Sequence, residues 1–161
     1  MDSPSHHSAE VARNIATVRR GWEAFNATAS TAEAIRRGEM APVLEMLDRG
    51  VVMDTADLGV PGLGLYRGHR GVRQFWLDWF EAVGDVHTEV REIGGAGDKV
   101  VTICRQSGTG MGSGVIVTWE FAVTFTLREA RVVRIELSAE LDEARQLVGL
   151  ETAASTGVHL A

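Results

Sequence analysis

The stretch from Gly50 to Phe80, GVVMDTADLGVPGLGLYRGHRGVRQFWLDWF, joins three patterns in one run. Val51 to Asp54 reads as a short apolar strand that carries one carboxylate. Gly59, Pro61, Gly62 and Gly64 mark a loop or tight hairpin. From Arg70 the pattern turns helical. Val72, Phe75, Trp76, Trp79, Phe80 and Val83 form one stripe, with Arg70, Arg73, Gln74, Asp78 and Glu81 largely opposite. Burying that stripe contributes on the order of 10 kcal/mol, so this helix anchors the packing. The arrangement can set Asp54 at the mouth of an apolar pocket. A carboxyl group in such a place is either a proton carrier or a costly burial.

Upstream, Val11, Ile15, Val18, Trp22 and Phe25 recur at spacings of three and four and predict a helix over 11–25. Residues 1–8 are expected to be a disordered tail. Asn26–Ser30 is turn-like, and Ser30-Thr31-Ala32-Glu33 has capping-box spacing for a short second helix. Gly38-Glu39 ends it, and Pro42 suits the first turn of a third helix running through Leu47. Downstream of Gly84 the period becomes two, and 87–93, 99–106, 115–127 and 131–139 read as strands. Their short connections suit successive antiparallel hairpins. On the third of these, Trp119, Phe121, Val123, Phe125 and Leu127 share one face. A short terminal helix is expected from about Asp142, then a flexible tail over 152–161. The predicted whole is a single α+β domain over 9–151. A cone-shaped, curved antiparallel sheet packs on three N-terminal helices, as in a cystatin-like α+β barrel, and its open end takes small molecules.

The chain has 161 residues, 45% hydrophobic and 24% charged, which fits one globular domain. Its net charge of −6 and lack of a basic cluster argue against nucleic acid and anionic membrane as partners. One cysteine, Cys104, rules out an intrachain disulfide. With no apolar leader and no apolar run approaching the ~20 residues of a membrane span, the expected location is cytoplasmic.

The segments LEMLDRGVVMDT, LYRGHRGVRQFWLDWF, WEFAVTFTL and RVVRIELSAELDEARQLVGL, in that order over roughly residues 11–150, resemble the SnoaL-like and ketosteroid-isomerase-like branch of the nuclear-transport-factor-like superfamily. The resemblance implies an apolar pocket between helices and inner sheet face, and a homodimer formed through the outer sheet face. It also implies chemistry without metal or organic cofactor: isomerases, polyketide cyclases, dehydratases and epoxide hydrolases occur in this branch, as do members with no known activity. Asp54 matches the position of the proton-shuttling aspartate of ketosteroid isomerases. Their oxyanion-stabilising acid falls near Val123 here, their tyrosine near Gly21 and Trp22, and the cyclase aspartate near Leu137. Asp54 is therefore the one catalytic match.

Asp54 reads as a general acid or base whose pKa is raised by apolar neighbours, or as a strand-end aspartate capping the turn TADLG. Asp57 lies in that turn. Tyr66, the only tyrosine, could polarise a carbonyl or epoxide oxygen, and His69 could relay a proton; the plainer readings are packing under the aromatic helix and a solvated pre-helix residue. The expected pocket lining is Trp22, Phe25, Trp76, Trp79, Trp119, Phe121 and Val123, with Phe75 in the core. His87 is expected at the surface. Glu120 and Glu136 should face away from the pocket and pair with Arg134 or Arg105; with the faces reversed, Glu136 would be a second acid. SGTGMGSG (107–114) lacks the lysine of a phosphate loop and reads as a hairpin loop or lid. His6-His7 has no partner ligands, so no metal site is expected. The predicted function is a cofactor-independent isomerase or cyclase acting on a hydrophobic polyketide- or terpenoid-like ketone or epoxide. The alternatives are a non-catalytic ligand-binding or dimerisation module, and an epoxide hydrolase with Arg105 and Glu136 beside Asp54.

Overall fold

The aromatic helix is α4 (Gly68–Val83), and its stripe buries Val72, Phe75, Trp76 and Phe80 against one face of a sheet. The computed structural model describes residues 4–109 and 114–151. Before α4 come α1 (Pro4–Thr28), α2 (Ala32–Arg36), α3 (Ala41–Leu44), β1 (Leu47–Asp57) and β2 (Leu65–Arg67); after it come β3 (Val86–Ala96), β4 (Lys99–Thr109), β5 (Ile116–Arg128), β6 (Arg131–Ser138) and α5 (Leu141–Leu147). Helices α1 and α4 pack on the sheet, and α2 and α3 fill the gap between them. The fold is thus α+β.

The six strands run in the order β2-β1-β6-β5-β4-β3. The sheet is mixed rather than wholly antiparallel, because β1 pairs in parallel with β6. Three antiparallel hairpins join β3, β4, β5 and β6 in turn, and β6 then pairs back onto β1, from which β2, α4, β3, β4 and β5 separate it in the chain. The strand β2 was not expected. It extends the hairpin from β1, with Met53 opposite Tyr66.

Local chemistry explains the boundaries that differ from the periodicity. Asn26–Thr28 continue α1 instead of turning, since the Asn26 side chain reaches across to β3, donating to the Thr88 carbonyl at 2.8 Å and accepting from its N–H at 3.3 Å. At the start of α2 the capping residue is Thr31, not Ser30; its hydroxyl accepts from the Ala34 N–H at 3.0 Å. At Gly71 the helix α4 meets β2 so closely that a Cβ would stand 3.0 Å from the Tyr66 carbonyl carbon. The β5–β6 turn is tight, with Glu129 and Ala130 both at positive φ.

Strand alternation sets two faces. The inner face carries Val51, Met53 and Thr55 on β1, Ile135 and Leu137 on β6, and Phe121, Val123 and Phe125 on β5; all are buried. On β4 it carries Val100, Thr102, Cys104 and Gln106. The outer face is capped in its middle by α5, where Ala144 and Leu141 pack on Val101, Ile103 and Ala122. Arg145 fastens this cap. Its guanidinium donates to Glu92 at 2.7 to 3.2 Å and to Asp142 at 2.7 Å, and the hydrogen bond to Glu92 raises its pKa.

Among the described residues no helix is long and apolar enough to cross a membrane. The 110–113 part of the expected lid, residues 1–3 of the expected N-terminal tail and the 152–161 tail lie outside the described residues, whereas Pro4–Ser8, expected in that tail, belong to α1. Ser107–Thr109, read as loop, belong to β4, where Ser107 pairs with Thr118.

Replacing Arg145 by Met removes the buried guanidinium that fastens Glu92 on β3 to α5. The expected cost is about 2 kcal/mol, read as a lower urea midpoint at unchanged slope; a change below about 0.5 kcal/mol would show that packing alone holds α5. Cys104 is fully buried, and burial raises its thiol pKa from 9.0 to about 12 against a weaker opposing hydrogen bond to Thr102. The folded state therefore keeps its proton where the unfolded state loses it. This contribution to stability is intact below pH 9.0 and lost as pH rises towards about 12. At one unit above the free thiol's pKa the loss is about 1.4 kcal/mol. Under reducing conditions, Cys104→Ala should flatten the fall in stability relative to the parent between pH 8 and 11; parallel curves for the two proteins would contradict the assignment.

Candidate functional site

The indole N–H groups of the packed tryptophans cannot be buried without acceptors, and the inner face of β4 supplies them. Trp22 on α1 donates to the Thr102 hydroxyl at 3.2 Å. Trp79 on α4 donates to Gln106 Oε1 at 2.9 Å, and Gln106 Nε2 donates to the Thr88 hydroxyl on β3 at 2.9 Å. Gln106 is fully buried, and no buried side-chain polar atom among the described residues lacks a partner. Aromatic rings fill the space around these bonds in a continuous series. Trp22, Phe25 and Trp76 meet edge to face at 5.3 and 5.0 Å; Phe75 meets Trp76 at 4.9 Å and stacks with Trp79 at 6.1 Å; Trp79 meets Trp119 at 5.9 Å.

At the Trp79 end the series opens into a cavity of about 320 Å³. Phe75, Trp76, Trp79, Trp119 and Phe121 form its walls, Gln106 its polar point, and Leu58, Leu137 and Ala139 its far side. Val60 and Val117, both exposed, stand at its rim. The volume falls at the lower end of the range for small-molecule sites. At the Trp22 end Trp22, Phe25, Trp76, Val123 and Met53 border a second space of only about 40 Å³, which is room for little more than a water. The residues expected to line one pocket are therefore divided. Trp76, Trp79, Trp119 and Phe121 border the cavity of about 320 Å³, Trp22, Phe25 and Val123 the space of about 40 Å³, and Trp76 belongs to both; Trp22 also borders a more open and more polar surface groove of about 420 Å³ with Arg19 and Glu23.

Asp54 lines neither cavity. Met53 and Thr55 point inward, and a period of two turns Asp54 to the outer face. There its side chain is 30% exposed, and Oδ2 accepts from Arg134 at 3.1 Å. Its Oδ1 accepts from the Ala56 N–H at 3.0 Å, the turn-capping role weighed for it above. Arg134 also pairs with Glu136 at 3.2 Å. An arginine and two carboxylates thus do meet, but in the open, and Arg105, expected as the hydrolase arginine, is exposed across from Glu120 instead. Half-exposed ion pairs of this kind contribute about 0–1 kcal/mol.

Tyr66 and His69 also stand outside both cavities. Tyr66 packs edge to face on Phe75 at 5.2 Å, beneath α4. The His69 ring, at the start of α4, hydrogen-bonds the Leu47 carbonyl through Nε2 at 2.9 Å, which ties α4 to β1. His87 is exposed, and so is Asp57 at the end of β1. The residue missed from sequence is Gln106. Its signal was present: it is an amide at the end of the inward row Val100, Thr102, Cys104 on β4. Glu120 borders the cavity mouth, but alternation with Trp119 and Phe121 places it in the outer row beside Arg105. The described residues contain no group of three metal-ligating side chains.

The comparisons with known proteins agree with this architecture. The SnoaL-like domain model matches residues 18–135, well over half of the chain. Among solved structures, TerC co-crystallized with polyporic acid superposes with a TM-score of 0.63 at 19% identity, covering 85% of this chain and 98% of its own. A protein provisionally described as a SnoaL-like polyketide cyclase, from Jannaschia sp. CCS1, gives 0.63 at 19% identity over 94% and 99%. An NTF2-like protein of unknown function from Burkholderia pseudomallei gives 0.63 at 22% identity over 84% and 97%. No curated protein matches the chain. At these identities the solved structures establish the fold, which is NTF2-like, and the match to the domain model establishes the family: this chain is a member of the SnoaL-like domain family.

Proposed function

We propose that this protein binds a hydrophobic, ring-bearing small molecule of polyketide or terpenoid type in the cavity between α4 and the inner sheet face. The single observation that carries the reading is the cavity itself. It measures about 320 Å³ and is walled by three tryptophans and two phenylalanines, with one buried amide. Aromatic walls favour flat apolar molecules through dispersion and edge-to-face contact. Support also comes from TerC, a protein of the same fold that was co-crystallized with polyporic acid.

Isomerisation or cyclisation by proton transfer requires a titratable group within hydrogen-bond reach of the ligand. The described cavity lining offers none pointing inward, and Asp54 is on the opposite face with Arg134. Ligand binding is therefore the reading, in preference to acid/base catalysis through Asp54, Tyr66 and His69.

The test uses quenching of tryptophan fluorescence by a panel of bicyclic and tricyclic aromatic ketones, together with native mass spectrometry of the freshly purified protein. Trp119→Ala should weaken the tightest member of the panel by at least about tenfold, the loss expected for removing one aromatic wall. Asp54→Asn should leave that affinity within about twofold, given how little an exposed pair contributes. A panel that fails to bind, or loss of binding or of turnover in Asp54→Asn, would reject this reading.

A further inference from the structure

The two spaces beside the aromatic series are consecutive stretches of one trough between α4 and the inner sheet face. Each element around it gives one inward residue to the larger space and another from the same row to the smaller. On β5 these are Phe121 and Val123, on β6 Leu137 and Ile135, and on α4 Trp79 and Val72. Successive inward positions on a strand lie only about 7 Å apart, so the spaces stand end to end. Among the described residues Trp76 alone borders both. It is buried on the inward stripe of α4, between Val72 and Trp79 in the chain. Ring contacts with Phe25, Phe75 and Phe80, at 5.0, 4.9 and 5.6 Å, hold it in place.

From this placement we infer that Trp76 is the residue that determines specificity for ligand length. Its indole is a partition that ends the pocket after a system of two fused rings and bars any ligand that must reach on towards Trp22. The inference rests on the reading of the cavity as a small-molecule site and adds the size class of its ligand. The volumes agree with it. An apolar cavity of about 150 Å³ takes one benzene ring, so the cavity of about 320 Å³ takes two and the space of about 40 Å³ takes none. The partition is also firm, because close-packed core side chains do not yield to a ligand without cost. Trp22 and Trp79 are each tied to the sheet through their N–H, whereas Trp76 makes no hydrogen bond of that kind among the described residues. Truncating Trp76 therefore joins the two spaces without orphaning a polar group in the sheet.

Two probes that differ by one ring in line test it. They are 2-acetylnaphthalene and 2-acetylanthracene, each titrated into the parent protein and into Trp76→Leu. In the parent the third ring finds the trough closed and stays at the mouth, so the two probes should bind within about threefold of each other. In Trp76→Leu the anthracene should bind at least about tenfold more tightly than the naphthalene, because the added ring is now taken out of water. Adding Val123→Phe to Trp76→Leu refills the far space and should abolish that gain. A gain that survives Val123→Phe, or no gain in a folded Trp76→Leu, would overturn the assignment while leaving the pocket intact. A preference for the anthracene above about threefold in the parent would overturn it as well. Should Trp76→Leu fail to fold, that parent comparison decides alone, and agreement of the two probes supports the partition. Failure of both probes to bind the parent would reject the pocket reading itself.

Discussion

The stripe of aromatic side chains on α4 must be covered on one side by a sheet, and its indoles must be given hydrogen-bond acceptors within that cover. Most of the architecture follows from these two requirements. The first brings α4 against β1 and the inner rows of β5 and β6, where Met53, Phe121, Val123, Phe125 and Ile135 are buried with it. The second explains why the inner face of β4 is not wholly apolar. Thr102 and Gln106 are there because Trp22 and Trp79 need acceptors, and Thr88 on β3 is there because Gln106 must also donate. A buried polar network is tolerable only when its members are satisfied, and in this core no described buried side-chain atom is left without a partner.

That solution leaves a space where the sheet and α4 diverge. Near Trp22 the rings close down to about 40 Å³. Near Trp79 they do not, and the cavity of about 320 Å³ remains. The same tryptophan that needed Gln106 as an acceptor thereby sets an amide into the wall of a pocket.

The outer face obeys different rules. Its middle is capped by α5, whose apolar side covers Val101, Ile103 and Ala122 while Arg145 pairs with Glu92. Its flank carries Asp54, Arg134 and Glu136, close enough to pair and exposed enough for water to screen them. An arginine and two carboxylates thus meet on this flank in the open, away from both cavities.

Much of this protein was legible in the chain. A spacing of three and four fixed α1 and α4, because only a helix brings such residues to one side, and a period of two fixed the strands and the inward row Trp119 to Leu127 on β5. The Gly/Pro punctuation placed the turns. The order of these elements carried the resemblance to the SnoaL-like family. What local pattern could not hold was any relation between distant segments. The parallel pairing of β1 with β6 joins residues about 80 positions apart, as in Arg134 to Asp54, and no local spacing encodes it. Short strands such as β2, with three residues, are too brief for a period to register. Above all, a strand's alternation says which residues share a face but not which face meets the helices. That choice was made when Met53 and Thr55 packed inward, and it turned Asp54 to the outside and Gln106 to the cavity. The sequence by itself determined the elements and their amphipathic faces, since those depend on neighbours a few residues away. Only tertiary packing decided which polar group stands in the pocket, since that depends on how each face is buried.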